Sequence, residues 1–211
     1  MSLEFPKLDG IGTTLKIERI GIDTRWGQAS DCIKRFIKES PYSHLLVPYF
    51  GQAMPPTHRQ FEEYTETKGW LFEHQLNPTV KESKWLIKPS VGDGQYYMLA
   101  DVNRLKDFLF HRLASPPGTS GCISLYDAPA HDHELFCQHV CNSEYPEPLK
   151  AREMTKNQWQ VRDGRPDNDY LDCATGCMAL ASSCGAAIKA SQEKQPEITK
   201  QSLKQQWKRE R

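Results

Sequence analysis

Residues 15–40, LKIERIGIDTRWGQASDCIKRFIKES, join two periodicities. Leu15, Ile17 and the run Ile20 to Ile22 read as a strand that becomes fully buried toward its end, whereas Cys32, Ile33, Phe36 and Ile37 recur at helical spacing. Asp23 stands where one pattern gives way to the other, at the strand's carboxyl end. In an open α/β sheet that edge gathers ligands and chemistry, because its loops vary while the sheet holds them rigidly. A single Asp there also opens turns or caps the following helix, so a second acidic feature has to decide between the readings.

HLLVPYFG (His44 to Gly51) is a second buried strand closed by glycine, and strand, helix, strand is the unit of a parallel sheet. From QAMPPTHRQ to NPTVKESK the chain is broken by Pro55, Pro56, Gly69 and Pro78 and reads as loop with one or two short elements. WLIKPSVGDGQYYML places two β-rich pieces around Gly92, Asp93 and Gly94, a hairpin signal. In ADVNRLKDFLFHRLAS, Val102, Leu105, Leu109 and Leu113 share one helical face, Asp101 is the expected N-cap, and Pro116, Pro117 and Gly118 end the helix. CISLY (Cys122 to Tyr126) reads as a short strand, and AHDHELFCQHVCNSEYPEP as a helix continuing to Pro146 and Pro148. A strand around QWQVRDG then leads into RPDNDYLDCATGCMALASSCGAAIKA, whose alanines, Leu171, Met178, Leu180 and small cysteines suit a close-packed helix.

The chain has 211 residues, 38% of them hydrophobic and 26% charged, which suits one sizeable domain with at most a small appendage. A net charge of zero removes any global electrostatic case for a nucleic-acid or membrane partner, though it leaves room for a local basic face. No apolar run approaches the ~18 residues of a membrane span. Seven cysteines without framework spacing predict free thiols in a reducing cytoplasm. The expected division is a domain over residues 1–188 and a basic, flexible tail over 189–211. In that tail seven basic residues outnumber three acidic ones, with Leu203 and Trp207 as its large apolar pair.

The second acidic feature is PDNDYLDC, which sets Asp167, Asp169 and Asp172 about a helix start. Asp169 and Asp172 are three apart and share a helical face, so their charges repel. The helix N-terminus offsets part of that repulsion, and a hard divalent cation offsets it more fully. Acids at a strand end and at a late helix start are of the kind that a fold brings around two metal ions for phosphodiester hydrolysis.

NDYLDCATGCMALA resembles the C-terminal motif of the terminase large subunit of the lambda-like (GpA) family. Other landmarks follow in the family's order. IGIDTRWGQASDCIKRF resembles its buried strand ending in Asp, DVNRLKDFLFHRL its helix with Lys106 and Arg112, and PPGTSGCISLY and ELFCQHVCNSEYPEP the segments after it. The resemblance covers most of residues 15–185. It implies an α/β, RNase H-like nuclease domain with a mixed sheet flanked by helices, cutting concatemeric double-stranded DNA with Mg²⁺ or Mn²⁺ in the host cytoplasm, alongside a terminase small subunit and a portal and with no membrane. By position Asp23 matches the family's middle acid, and Asp169 with Asp172 its last acidic motif. These three are the expected metal ligands and catalytic residues.

The resemblance departs in three places. The family's first acid lies on an earlier strand, for which Asp9 and Glu18 are poor counterparts. VPYFGQAMPP lacks the lysine usual after the second strand. No phosphate-cradling G-x-x-x-x-G-K-[ST] loop occurs, so the chain reads as the C-terminal part of such a protein, with an incomplete metal site.

Two other classes compete. His131, His133, Cys137, His139 and Cys141 are chemically suited to zinc, with Cys137 and Cys141 one helical turn apart. Half-buried helix cysteines and solvent-facing histidines account for the same pattern. A non-catalytic, nuclease-like scaffold is the other class. Cys173, Cys177 and Cys184 are read as small core residues. Lys106 and Arg112 are the candidate DNA contacts implied by the resemblance, with Lys34, Arg35, Lys38, Lys81, Lys84 and Lys88 as further phosphate candidates. Trp70 and Trp85 are expected to pack rather than to stack on bases.

Overall fold

The computed structural model describes residues 4–6, 12–25, 27, 30–64, 68–90, 94–151, 153–164 and 167–186. Asp9, the Gly92–Asp93 turn and the basic tail lie outside them. In chain order the elements are β1 (Glu4–Pro6), β2 (Thr14–Lys16), β3 (Ile20–Asp23), α1 (Ser30–Glu39), β4 (Leu46–Gln52), β5 (Leu71–Phe72), α2 (Glu73–Leu76), β6 (Trp85–Pro89), β7 (Tyr96–Asp101), α3 (Val102–Leu113), α4 (Glu134–Cys141), β8 (Glu144–Ala151), β9 (Met154–Val161) and α5 (Asp169–Ser183). Short 3-10 turns at Phe61–Glu63 and Ala130–His133 complete the set.

The central sheet has five strands in the order β3-β4-β7-β6-β5. β3, β4 and β7 run parallel, while β7, β6 and β5 alternate direction, so the sheet is mixed. With helices packed against it, this is the expected α/β class. The parallel block has a consequence for chemistry. It brings the carboxyl ends of β3, β4 and β7, at Asp23, Gln52 and Asp101, to one edge.

Strand periodicity separates the two faces. Val47, Tyr49, Met98 and Ala100 pack with Trp85, Leu105, Ala179 and Leu180 under α3 and α5. Phe50, Tyr97 and Leu99 point the other way and pack with Met54, Phe61, Phe72 and Leu86, drawn from the segment between β4 and β6. Trp85, Leu86 and Met98 have no solvent exposure, and each is worth about 1.5–3 kcal/mol of burial. Trp85 therefore packs, as expected, and Trp70 lies among rings of the second cluster.

The hairpin of β6 and β7 forms as its glycines predict, with Pro89 opposite Tyr96 and Gly94 at φ +68°. Asp101 caps α3, its Oδ1 accepting from the amides of Asn103 at 3.2 Å and Arg104 at 3.5 Å.

Five expectations are corrected. The first strand is divided between β2 and β3, and β3 is a half-exposed sheet edge with one neighbour rather than a fully buried strand. Cys122 to Tyr126 forms no strand. The helix expected to reach Pro146 stops at Cys141, and both prolines lie in β8. Among the described residues β8 pairs only with β9, so one side of it needs no amide donor and proline is tolerated there. Cys137 and Cys141 are exposed rather than half-buried. Cys173, Cys177 and Cys184 are exposed as well, because α5 buries the stripe of Leu171, Thr175, Gly176, Ala179, Leu180 and Ser183 and turns the cysteines away from it. All seven cysteines are free thiols.

Candidate active site

Asp23 ends β3 in a turn whose backbone is fixed. Its Oδ1 accepts from the Arg25 amide at 2.8 Å, the side-chain turn that aspartate favours. The Thr24 amide and hydroxyl both donate to the Tyr49 carbonyl, at 2.9 and 3.0 Å, and Arg25 Nη1 donates to the Gly51 carbonyl at 3.0 Å. Three successive residues are thus tied to β4, while the Asp23 side chain stays exposed. Its direction follows from Gly21, two residues earlier on the same face. A Cβ there would meet Leu180 of α5 at 2.8 Å, so this face of β3 looks toward α5.

The last acidic motif opens α5, the helix whose Leu180 packs against β3. Asp172 lies in the first turn of α5, where the helix dipole favours a carboxylate. Its Oδ1 lies 3.0 Å from Lys106 Nζ, and the same ammonium donates to both carboxylate oxygens of Glu144 at 2.8 Å. Lys106 and Glu144 are buried, and Asn168, the residue preceding α5, donates to Glu144 Oε1 at 2.6 Å. Helix α3, strand β8 and the start of α5 are therefore knotted at one ammonium. Asp172 itself remains more than half exposed.

Tyr49 feels the charge of both acids. Opposite Asp23 in the β3–β4 register, its phenol rests against Gly176, where a Cβ would lie 3.7 Å from the ring carbon that bears the hydroxyl. The Tyr49 hydroxyl is buried and has no hydrogen-bond partner. Its ionisation is pushed well above the ordinary tyrosine range, first by burial and then by the charges of Asp172 and Asp23. The strand-end acid and the helix acid thus bear on one phenol at one sheet edge. Asp169, exposed at the start of α5, makes no ion pair among the described residues, and Asp167 is exposed just before it.

The donor set suits a hard cation. Asp23 and Asp172 offer carboxylate oxygens to solvent beside an unpartnered buried hydroxyl. Among the described residues no three His, Cys, Asp or Glu side chains are placed to hold an ion together. A bound Mg²⁺ or Mn²⁺ would therefore draw its remaining oxygens from water and phosphate, as Mg²⁺ commonly does.

The basic candidates are scattered. Lys106 is enclosed and holds Asp172. Arg112 lies over the Phe108 ring at 4.9 Å, with its Nε buried and unpartnered. Arg35 pairs with Glu39 at 2.9 Å and Lys84 with Glu73 at 3.0 Å. Lys88 lies over the rings of Trp70 and Tyr97, at 4.9 and 5.4 Å.

The zinc alternative is corrected by the same geometry, since His131, His133, Cys137, His139 and Cys141 do not converge. His131 lies 3.1 Å from Asp132, His133 Nε2 is 3.0 Å from the Tyr126 carbonyl, and the His139 ring packs on Tyr170 at 5.1 Å.

Sequence reading missed Glu144, Asn168 and Tyr49 as parts of the site. Glu144 was hidden inside a helix that was drawn too long. Two prolines at alternate positions, Pro146 and Pro148, were the available sign that a strand begins there.

No helix among the described residues is long and apolar enough to cross a membrane. Neither a curated protein nor a solved structure is significantly similar to the chain. The sequence profile of the terminase large subunit gpA endonuclease domain matches residues 4–195, and the chain belongs to that family.

Proposed function

We propose that this chain is a Mg²⁺- or Mn²⁺-dependent DNA endonuclease whose centre is built on Asp23 and Asp172, cutting double-stranded DNA in the host cytoplasm for packaging. The family supports a nuclease role in phage DNA packaging. The observation that supports the assignment to these residues is that the charges of Asp23 and Asp172 both act on Tyr49, which stands opposite Asp23 in the parallel register. When bound, the cation supplies Lewis-acid activation of water and neutralises charge on the leaving oxygen.

The chain's own residues do the positioning. The Asp23–Arg25 turn fixes one carboxylate against β4, and Lys106, itself anchored by Glu144, fixes the other. Asp169 is one turn of helix from the centre and serves as an outer ligand or a phosphate-spacing charge. The small subunit and portal are the partners that a packaging role calls for.

Cleavage of supercoiled plasmid with Mn²⁺, against EDTA and against Asp23→Asn, tests this reading. Metal-dependent cutting that is lost in the variant is expected. Cutting that survives the substitution contradicts the assignment, and its absence in the unaltered protein favours the scaffold alternative.

A further inference from the structure

A lysine ammonium has three N–H donors, and at Lys106 three acceptors match them. Both Glu144 oxygens lie at 2.8 Å from Nζ and Asp172 Oδ1 at 3.0 Å. The two acids differ in what they can reach. The Glu144 side chain is 4% exposed, and that of Asp172 57%. Asn168 Nδ2 also donates to Glu144 Oε1, at 2.6 Å, and adds to its hold. An ion arriving from solvent therefore meets Asp172, while Glu144 acts on it only through Lys106. An ammonium in contact with a single carboxylate makes a neutral pair, which attracts a further cation weakly. Lys106 contacts two, so the trio keeps a net negative charge whose exposed end is Asp172.

We propose that Glu144 is a positioning residue for the divalent cation: it takes up the charge of Lys106, so that Asp172 binds an ion instead of being satisfied by its own lysine. Lys106 fixes where the Asp172 carboxylate stands, and Glu144 keeps that contact from neutralising it. Groups standing behind a metal ligand commonly tune affinity by about 10- to 100-fold, which sets the scale expected here. This rests on the nuclease reading for the presence of a cation at Asp172, though its test does not need cleavage.

Mn²⁺ binding to the full chain, without DNA, is measured from the electron paramagnetic resonance signal of the free ion, with a thermal melt of each variant. Glu144→Gln, which keeps the shape and removes the charge, is expected to bind about tenfold more weakly or worse. Glu147→Gln makes the same change of net charge at an exposed position of the same strand and should bind as the unaltered chain does. Lys106→Met/Glu144→Gln removes both buried charges and should return to within about threefold of the unaltered affinity, a recovery that a purely structural role for Glu144 does not give. Glu144→Gln binding as tightly as the unaltered chain overturns the proposal. So does a double variant that melts cooperatively yet binds more than about tenfold more weakly. If Glu144→Gln alone fails to fold, the double variant, with no charge of this pair left unpartnered, decides by itself. Mn²⁺ that Asp172→Asn releases and Glu144→Gln retains overturns this proposal and leaves the nuclease reading standing. No Mn²⁺ bound by the unaltered chain, or Mn²⁺ bound regardless of Asp172, overturns both.

Discussion

At Tyr49 a buried phenol feels the charges of two carboxylates that the sequence separates by 149 positions, Asp23 and Asp172. Because its native ionisation is raised, the stability it contributes is present in full below the ordinary tyrosine value of about 10. That stability is lost as pH rises above it, since the unfolded chain then releases a proton that the native state keeps. Between pH 10 and 11 this amounts to about 1 kcal/mol. Denaturant unfolding in that range should show the slope, and Tyr49→Phe should remove its share. The hydroxyl has no partner, so Tyr49→Phe should be neutral or stabilising by up to about 1 kcal/mol at pH 7.

Substituting Asp172 by Asn should lower cleavage at least about 100-fold with the fold retained, because Lys106 keeps Glu144. Lys106→Met instead strands the buried Glu144 charge and should cost about 3 kcal/mol in a denaturant titration. The places of Asp23 at a strand end and Asp172 at a helix start were legible because a carboxylate there departs from the apolar period around it. Tyr49 and Glu144 were not, since one reads as an ordinary strand aromatic and the other as an ordinary surface acid until the tertiary fold surrounds them.

The elements hold the site by clamping α3. Hairpin β8–β9 lies along that helix, with Asn103 Oδ1 accepting from the Trp159 amide at 3.1 Å and Asp107 accepting from the Trp159 ring nitrogen at 2.9 Å. Lys156 reaches in from β9 to donate to Asp101, the α3 cap, and to Gln60 Oε1 at 2.8 Å. Burial pushes Asp101 and Lys156 each toward its neutral form, and their mutual contact opposes that push, with Arg104 helping to hold the Asp101 charge. Lys156→Met should therefore cost about 3 kcal/mol or more, and adding Asp101→Asn should recover part of it, a coupling that a double-mutant cycle measures.

Element reading succeeded where local chemistry sets the outcome, as with the Asp101 cap, and the expected pairing of β6 with β7 is present. It failed over residues 142–151, where the helical pattern fades gradually and the strand is specified by its partner β9. Periodicity records burial on one side and carries no information about which neighbour a strand will find.

For the whole molecule, parallel order in β3, β4 and β7 brings the strand ends at Asp23, Gln52 and Asp101 to one edge, and α5 packs against the sheet there. The mixed sheet flanked by helices was legible from the alternation of strand and helix signals. The edge position of β3 was not, because an apolar strand reads the same with one neighbour or two.

The most direct measurement is an anomalous-scattering map from crystals of the full chain grown with Mn²⁺. A manganese peak coordinated by the Asp23 and Asp172 carboxylates is the expected result. Manganese bound elsewhere, with these two side chains too far apart to share an ion or its close neighbour, would contradict the assignment of this edge as the catalytic centre.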